Sequence, residues 1–86
     1  RDGLARQLQK AGAIQVYPSA TNFLLVKVDK PDELNELLIA QGIGVRNFSR
    51  TVGLAGCLRI TIGLPKENAA ILACVKQYAA QLAKRE

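Results

Sequence analysis

Apolar residues recur along this chain with two alternating periods, and each change of period marks the boundary of an element. Leu4, Leu8 and Ala11 keep helical spacing, and Gly12 stands where a left-handed residue ends a helix. Ala13–Tyr17 alternates, with Ile14 and Val16 on one side, and predicts a short strand; Pro18-Ser19-Ala20-Thr21 predicts a turn. Asn22–Val28 is the strongest strand, apolar on both faces at its start and alternating later, which suits a central place in a sheet. Pro31 fits the first position of a second helix, Asp32 and Glu33 suit its positive N-terminal end, and Gly42 closes it. Its apolar stripe is Leu34, Leu37 and Leu38. Ile43–Phe48 predicts a third strand, and Ser49–Gly56, with glycines at 53 and 56 and no period, predicts a loop. From Cys57 to Gly63 the alternation is clean: Leu58, Ile60 and Ile62 face one side, Cys57, Arg59 and Thr61 the other. Pro65 and Glu67 open a last helix that runs to the end. Its broad apolar face comprises Ile71, Leu72, Val75, Tyr78, Ala79 and Leu82, and Lys84 and Arg85 suit its negative C-terminal end. This order predicts an α+β fold, a two-layer sandwich with helices packed on one face of a small, mostly antiparallel sheet.

Composition narrows the class. A chain of 86 residues makes a single domain, 1–86, of modest core. With 49% hydrophobic and 22% charged residues it is not a disordered tail, and it lacks the long apolar run of a membrane span. It contains no methionine and opens Arg1-Asp2-Gly3 without a signal-peptide pattern, so excision from a longer protein is the expectation. Cys57 and Cys74, with no histidine anywhere, cannot supply the four ligands of a tetrahedral metal site. Buried, reduced thiols of a cytoplasmic protein are expected instead. The net charge of +5 raises the question of nucleic acid. The basic residues are scattered, however, and Tyr17, Phe23, Phe48 and Tyr78 form no evident stacking series, so a solvated basic surface is expected.

The alternation also points to a site. If Leu58, Ile60 and Ile62 face the helices, Arg59 faces away from them, and the strand across the glycine loop carries Arg46. Like charges brought together on a sheet face repel unless something negative lies between them. A forked pair of arginines commonly holds a carboxylate or phosphate. The competing reading of the pattern alone is two arginines on a solvated edge, with no ligand.

The run Gly42-Ile43-Gly44-Val45-Arg46-Asn47-Phe48, followed by Gly56-Cys57-Leu58-Arg59-Ile60-Thr61-Ile62-Gly63, resembles the C-terminal part of histidinol-phosphate aminotransferases. Upstream, Pro18-Ser19-Ala20-Thr21-Asn22-Phe23-Leu24-Leu25 resembles the same family's strand into its small domain. The Leu58-Arg59-Ile60-Thr61-Ile62-Gly63 core is shared widely among class I/II aminotransferases, whereas Arg46 with Gly56-Cys57-Leu58-Arg59 favours the histidinol-phosphate branch. The resemblance implies a small domain of a fold-type-I enzyme whose absent large domain binds pyridoxal 5'-phosphate, with an active site between the two in a cytoplasmic homodimer. It implies that Arg59 anchors the acidic group of the substrate and that Arg46 adds to the grip on phosphate. The reaction it implies exchanges an amino group between L-histidinol phosphate and glutamate.

The bond chemistry itself is expected to lie elsewhere. Such enzymes hold the cofactor on a lysine, and Lys10, Lys27, Lys30, Lys66, Lys76 and Lys84 all read as surface residues, so the piece alone is expected to be inactive. Cys57 lacks a histidine to activate it and reads as packing; Asn22 reads as a turn or backbone-bonding residue and Arg50 as solvated, while Asn47 is open. Alternatives are the same domain of a threonine-phosphate decarboxylase or an aromatic aminotransferase, and a stand-alone small-molecule-binding or regulatory module.

Overall fold

A computed structural model describes residues 2–12, 14–18, 22–63 and 65–85. The elements follow the order α1 (Asp2–Lys10), β1 (Ile14–Pro18), β2 (Phe23–Val28), α2 (Pro31–Ala40), β3 (Val45–Asn47), β4 (Cys57–Thr61) and α3 (Pro65–Arg85). Both β-hairpins and the helix between them were legible in the pattern. Residues 13 and 19–21, which held the start of the predicted first strand and most of the predicted turn, lie outside the described residues. The third strand is shorter than predicted. Ile43 belongs to the exit from α2, because its N–H is already committed to the Leu38 carbonyl at 3.1 Å, while the Gly44 carbonyl still accepts the Thr61 N–H of β4 at 2.8 Å.

The sheet order is β1-β2-β4-β3, and every pairing is antiparallel. β2 is therefore interior, as its two-sided apolar start predicts. Between β2 and β3 the chain crosses through α2 and leaves room for β4, a split βαβ unit. Registers are Val16↔Val26, Val26↔Leu58, Leu24↔Ile60 and Val45↔Ile60, so one face of all four strands presents branched aliphatic side chains. The helices cover that face. Leu4 and Leu8 of α1, Leu34 and Leu38 of α2, and Ile71, Cys74, Val75 and Tyr78 of α3 complete a single core with Leu24, Val26, Leu58 and Ile60. Burying each such side chain stabilises by roughly 1.5–3 kcal/mol before chain entropy is set against it.

Helix α2 ends as its glycine predicts. Gly42 has φ of 74°, its N–H reaches the Ile39 carbonyl at 2.9 Å, and the next N–H, of Ile43, reaches back to Leu38. These two bonds satisfy carbonyls of the last turn, and Leu38 and Ile43 both lie in the core, as in a Schellman ending. At the other end Pro31 leads the helix, and no side chain caps it. Instead the Lys30 N–H donates to the hydroxyl of Tyr78 at 2.8 Å, tying the start of α2 to the middle of α3. Both cysteines are buried free thiols, and Cys74 lies 3.5 Å from the Leu37 carbonyl.

Gly56 joins the central strands to the loop before β4. Its carbonyl accepts the Val28 N–H at 2.9 Å, extending the β2–β4 ladder by one rung beyond Lys27↔Cys57. Its φ is 78°, and a Cβ there would stand 2.7 Å from the Val28 carbonyl oxygen, so only glycine fits.

Two predictions follow from this packing. Gly56→Ala costs about 1–2 kcal/mol from the left-handed backbone alone, plus the clash with the Val28 carbonyl. Gly53→Ala, with φ of 83° and open space at its Cβ, should carry only the conformational part. Equal losses in urea melts of the two variants would show that the contact at Gly56 is unimportant. Burial holds the Tyr78 hydroxyl above the ordinary tyrosine range; the Lys30 N–H opposes this, and Asp29 and Glu33 reinforce it. A raised folded-state value means that stability is intact below the unfolded tyrosine value, about pH 10, and is lost as pH rises through the folded one. Tyr78→Phe should lower neutral-pH stability by about 1 kcal/mol and make the alkaline loss shallower. An unchanged alkaline slope would show that another group is responsible.

Candidate functional site

Because the helices occupy one face of the sheet, period-2 alternation sends the remaining strand side chains to the other. On that open face lie Gln15 and Tyr17 of β1, Phe23, Leu25 and Lys27 of β2, Arg46 of β3, and Cys57, Arg59 and Thr61 of β4. Phe48, just beyond β3, joins them. Among the described residues the strands contain no aspartate or glutamate. The open face is therefore cationic and aromatic, with Cys57 buried at its floor.

Arg46 and Arg59 are register partners, directly opposite each other on neighbouring strands. The sequence expectation that the strand across the loop brings them together is met. Arg59 is half-buried between Leu25 on β2 and Arg46 on β3, and Arg46 is exposed. Among the described residues neither guanidinium has a carboxylate partner or a hydrogen bond. What they touch is aromatic. The Arg59 guanidinium carbon lies 4.5 Å from the centre of the Phe23 ring and 5.7 Å from that of Phe48, and the Arg46 guanidinium carbon lies 5.3 Å from Phe48. These distances are within the reach of a cation–π attraction.

The sequence reading of the aromatics needs correcting here. Tyr78 is a core residue, but Tyr17, Phe23 and Phe48 share the open face. They come from three separate stretches of chain, so no series is visible along the sequence; sheet pairing gathers them. The signal that could have found Phe48 is its place two residues after Arg46, on the same face by strand period.

The backbone around the pair is pinned. The Phe48 N–H donates to the Cys57 carbonyl at 3.0 Å, and the Phe48 carbonyl accepts from Thr51 at 2.8 Å. Further bonds from Leu54 to the Thr51 carbonyl and from Cys57 to the Leu54 carbonyl, each 3.0 Å, fold residues 48–57 into successive turns. Asn47, left open by the sequence, makes two structural hydrogen bonds. Its side-chain NH₂ donates to an Asp32 carboxylate oxygen at 2.8 Å, and its side-chain oxygen accepts the Ser49 N–H at 2.9 Å. It thus ties the end of β3 to the start of α2. Asn22 acts through its backbone, its carbonyl taking the Ile62 N–H at 2.8 Å. Arg50 is exposed, and Cys57 packs with its thiol 3.9 Å from the Ala55 carbonyl. All six lysines are exposed, Lys27 alone of them on the open face. No cluster of metal-ligating side chains occurs among the described residues, and no helix among them is long and apolar enough to cross a membrane.

Chemically the arrangement can bind an anion. Two guanidinium forks side by side, with no internal acid, offer parallel donors to a phosphate or carboxylate. Among the described residues the face carries no nucleophile paired with an activating base.

Comparison with known proteins supplies the context. No family model matches the chain. It is 55% identical over 62 residues to a histidinol-phosphate aminotransferase of Parabacteroides distasonis, a match that covers 72% of this chain and 18% of that protein. It is 43% identical over 68 residues to the enzyme of the same name from Caldanaerobacter subterraneus subsp. tengcongensis, covering 79% of this chain and 19% of the relative. With one from Hydrogenobaculum it shares 38% over 82 residues, 95% of this chain and 24% of the relative. The chain thus spans about a fifth to a quarter of the length of these curated relatives. The crystal structure of the histidinol-phosphate aminotransferase from Clostridium acetobutylicum superposes with a TM-score of 0.77 at 25% identity, over 94% of this chain and 25% of that one.

Proposed function

Since the chain belongs to the histidinol-phosphate aminotransferase family, of which it spans one segment, we propose that it is the C-terminal small domain of such an enzyme and supplies its grip on anionic substrates. The observation that carries this reading is the register pair Arg46↔Arg59 on a sheet face without carboxylates. In the reaction proposed, an amino group passes between L-histidinol phosphate and glutamate. One site must therefore accept a phosphate and a carboxylate in turn, and two adjacent forks accommodate both shapes. Arg59, half-buried and stacked, is the fixed anchor; Arg46, exposed at the edge strand, adds the second fork for the phosphate. Their contribution is orientation, because a substrate held by its acidic end presents its amine in one place.

None of the described lysines is buried as a lysine holding pyridoxal 5'-phosphate would be. Each lysine is exposed to solvent, where an imine to a cofactor would be open to water. In this reading the cofactor, which supplies the electron sink for the exchange, belongs to the rest of the enzyme, as does the reactive lysine. A cytoplasmic homodimer completes the proposal.

The test uses the full-length enzyme. Arg59→Ala should lower kcat/KM for histidinol phosphate by about 10- to 100-fold, the loss of a charge-assisted hydrogen-bonding partner, while absorbance of the bound cofactor is unchanged. An unaltered kcat/KM would remove Arg59 from the site. Arg46→Ala should penalise histidinol phosphate more than glutamate. Equal losses for the two substrates would remove the phosphate role.

A further inference from the structure

The geometry points to Phe48 as a positioning residue: one aromatic ring shared by two cations, which holds the Arg46 and Arg59 guanidinium groups together while leaving their donors free. The inference rests on the anion-site reading above and adds to it a residue that touches no substrate.

The two arginines are forced opposite each other by the β3–β4 register, and like charges so placed repel. Proteins commonly relieve such repulsion with a carboxylate. Here that solution would be self-defeating, because a carboxylate occupies the same N–H fork that an incoming phosphate needs. A ring behaves differently. Its negative face attracts a cation through the quadrupole but accepts no in-plane N–H bond, so the edge of the guanidinium stays available. The Phe23 ring lies 4.5 Å from the Arg59 guanidinium, and the Phe48 ring is approached by both cations, at 5.3 Å and 5.7 Å. The ring is also well placed to be rigid. The backbone of Phe48 is bonded on one side to Cys57 and on the other to Thr51, and the side chain is half-buried. The absence of acids from all four strands leaves aromatic faces as the counterweight built into this surface.

A shelf of this kind sets the spacing of the forks before the anion arrives, so its removal should appear in substrate binding rather than in the chemical step. In the full-length enzyme, Phe48→Leu should raise KM for histidinol phosphate roughly 5- to 30-fold, the loss of two cation–π contacts, with kcat little changed. Phe48→Tyr, which keeps the ring, should restore most of that loss. Pentafluorophenylalanine at position 48, with nearly the same shape and an inverted quadrupole, should behave as Phe48→Leu does. In an Arg46→Ala background the effect of Phe48→Leu should shrink, because one of the two cations is already gone. If the fluorinated ring works as well as phenylalanine, or if Phe48→Leu loses kcat and KM together by the same factor with and without Arg46, the ring is only packing and the proposal fails. Should Phe48→Leu not fold, the tyrosine and fluorinated variants decide the matter alone. These outcomes are separable from failure of the underlying reading, which would appear as wild-type kinetics in Arg59→Ala.

Discussion

The antiparallel pairing of β2 with β4 fixes everything else in this small fold. Their register places Leu24 against Ile60 and Val26 against Leu58 on the covered face, and by the same stroke Leu25 against Arg59 on the open one. A slip of one residue would exchange the faces, driving Arg59 into the helices and the core leucines into water. Such a slip is opposed at both ends. Ile62 is bonded to the Asn22 carbonyl at one end, and Val28 to that of Gly56 at the other, where no side chain could be accommodated. The covered face is thus what aims the arginines, although it never touches them.

Much of this could be read from residue types. The helices were legible because their apolar stripes and their terminal glycines and prolines agree, and Gly42 does in the structure what its place in the sequence implies. The interior position of β2 followed from apolar residues on both of its faces: Phe23 and Leu25 are half-buried on the open face while Leu24 and Val26 are buried. The facing of Arg46 and Arg59 followed from alternation plus a hairpin. Three things were not legible. The length of β3 depended on the Ile43 N–H turning back to the Leu38 carbonyl, which apolar alternation does not record even where Gly42 marks the helix end. The role of Asn47 depended on a partner fifteen positions away, Asp32. The aromatic face depended on pairing between strands remote in sequence, which no local period records.

Acidic residues are confined to the helices and their flanks, whereas basic residues occur in both layers. Acidic side chains gather around the helix starts, where Asp32 and Glu33 meet the positive end of α2 and Glu67 that of α3. The open side of the sheet carries Lys27, Arg46 and Arg59, while the helices carry basic residues as well as acids. The overall excess of basic residues is therefore less informative than their distribution: five positive charges spread evenly would select no ligand.

The turns between β3 and β4 bear on how such a segment can diverge. Arg46 and Arg59 are opposite because the hairpin ladder holds them so, and not because a set number of residues separates them. Lengthening or shortening the chain between Ser49 and Ala55 would leave both on the same rungs, provided Phe48 still meets Cys57 and Gly56 still meets Val28. An insertion inside β3 has the opposite consequence. It would rotate Asn47 outward and Arg46 inward, undoing at once the clasp on α2 and the pairing of the two arginines. Relatives of this domain should therefore vary freely in the loop and hardly at all in the three residues that precede it.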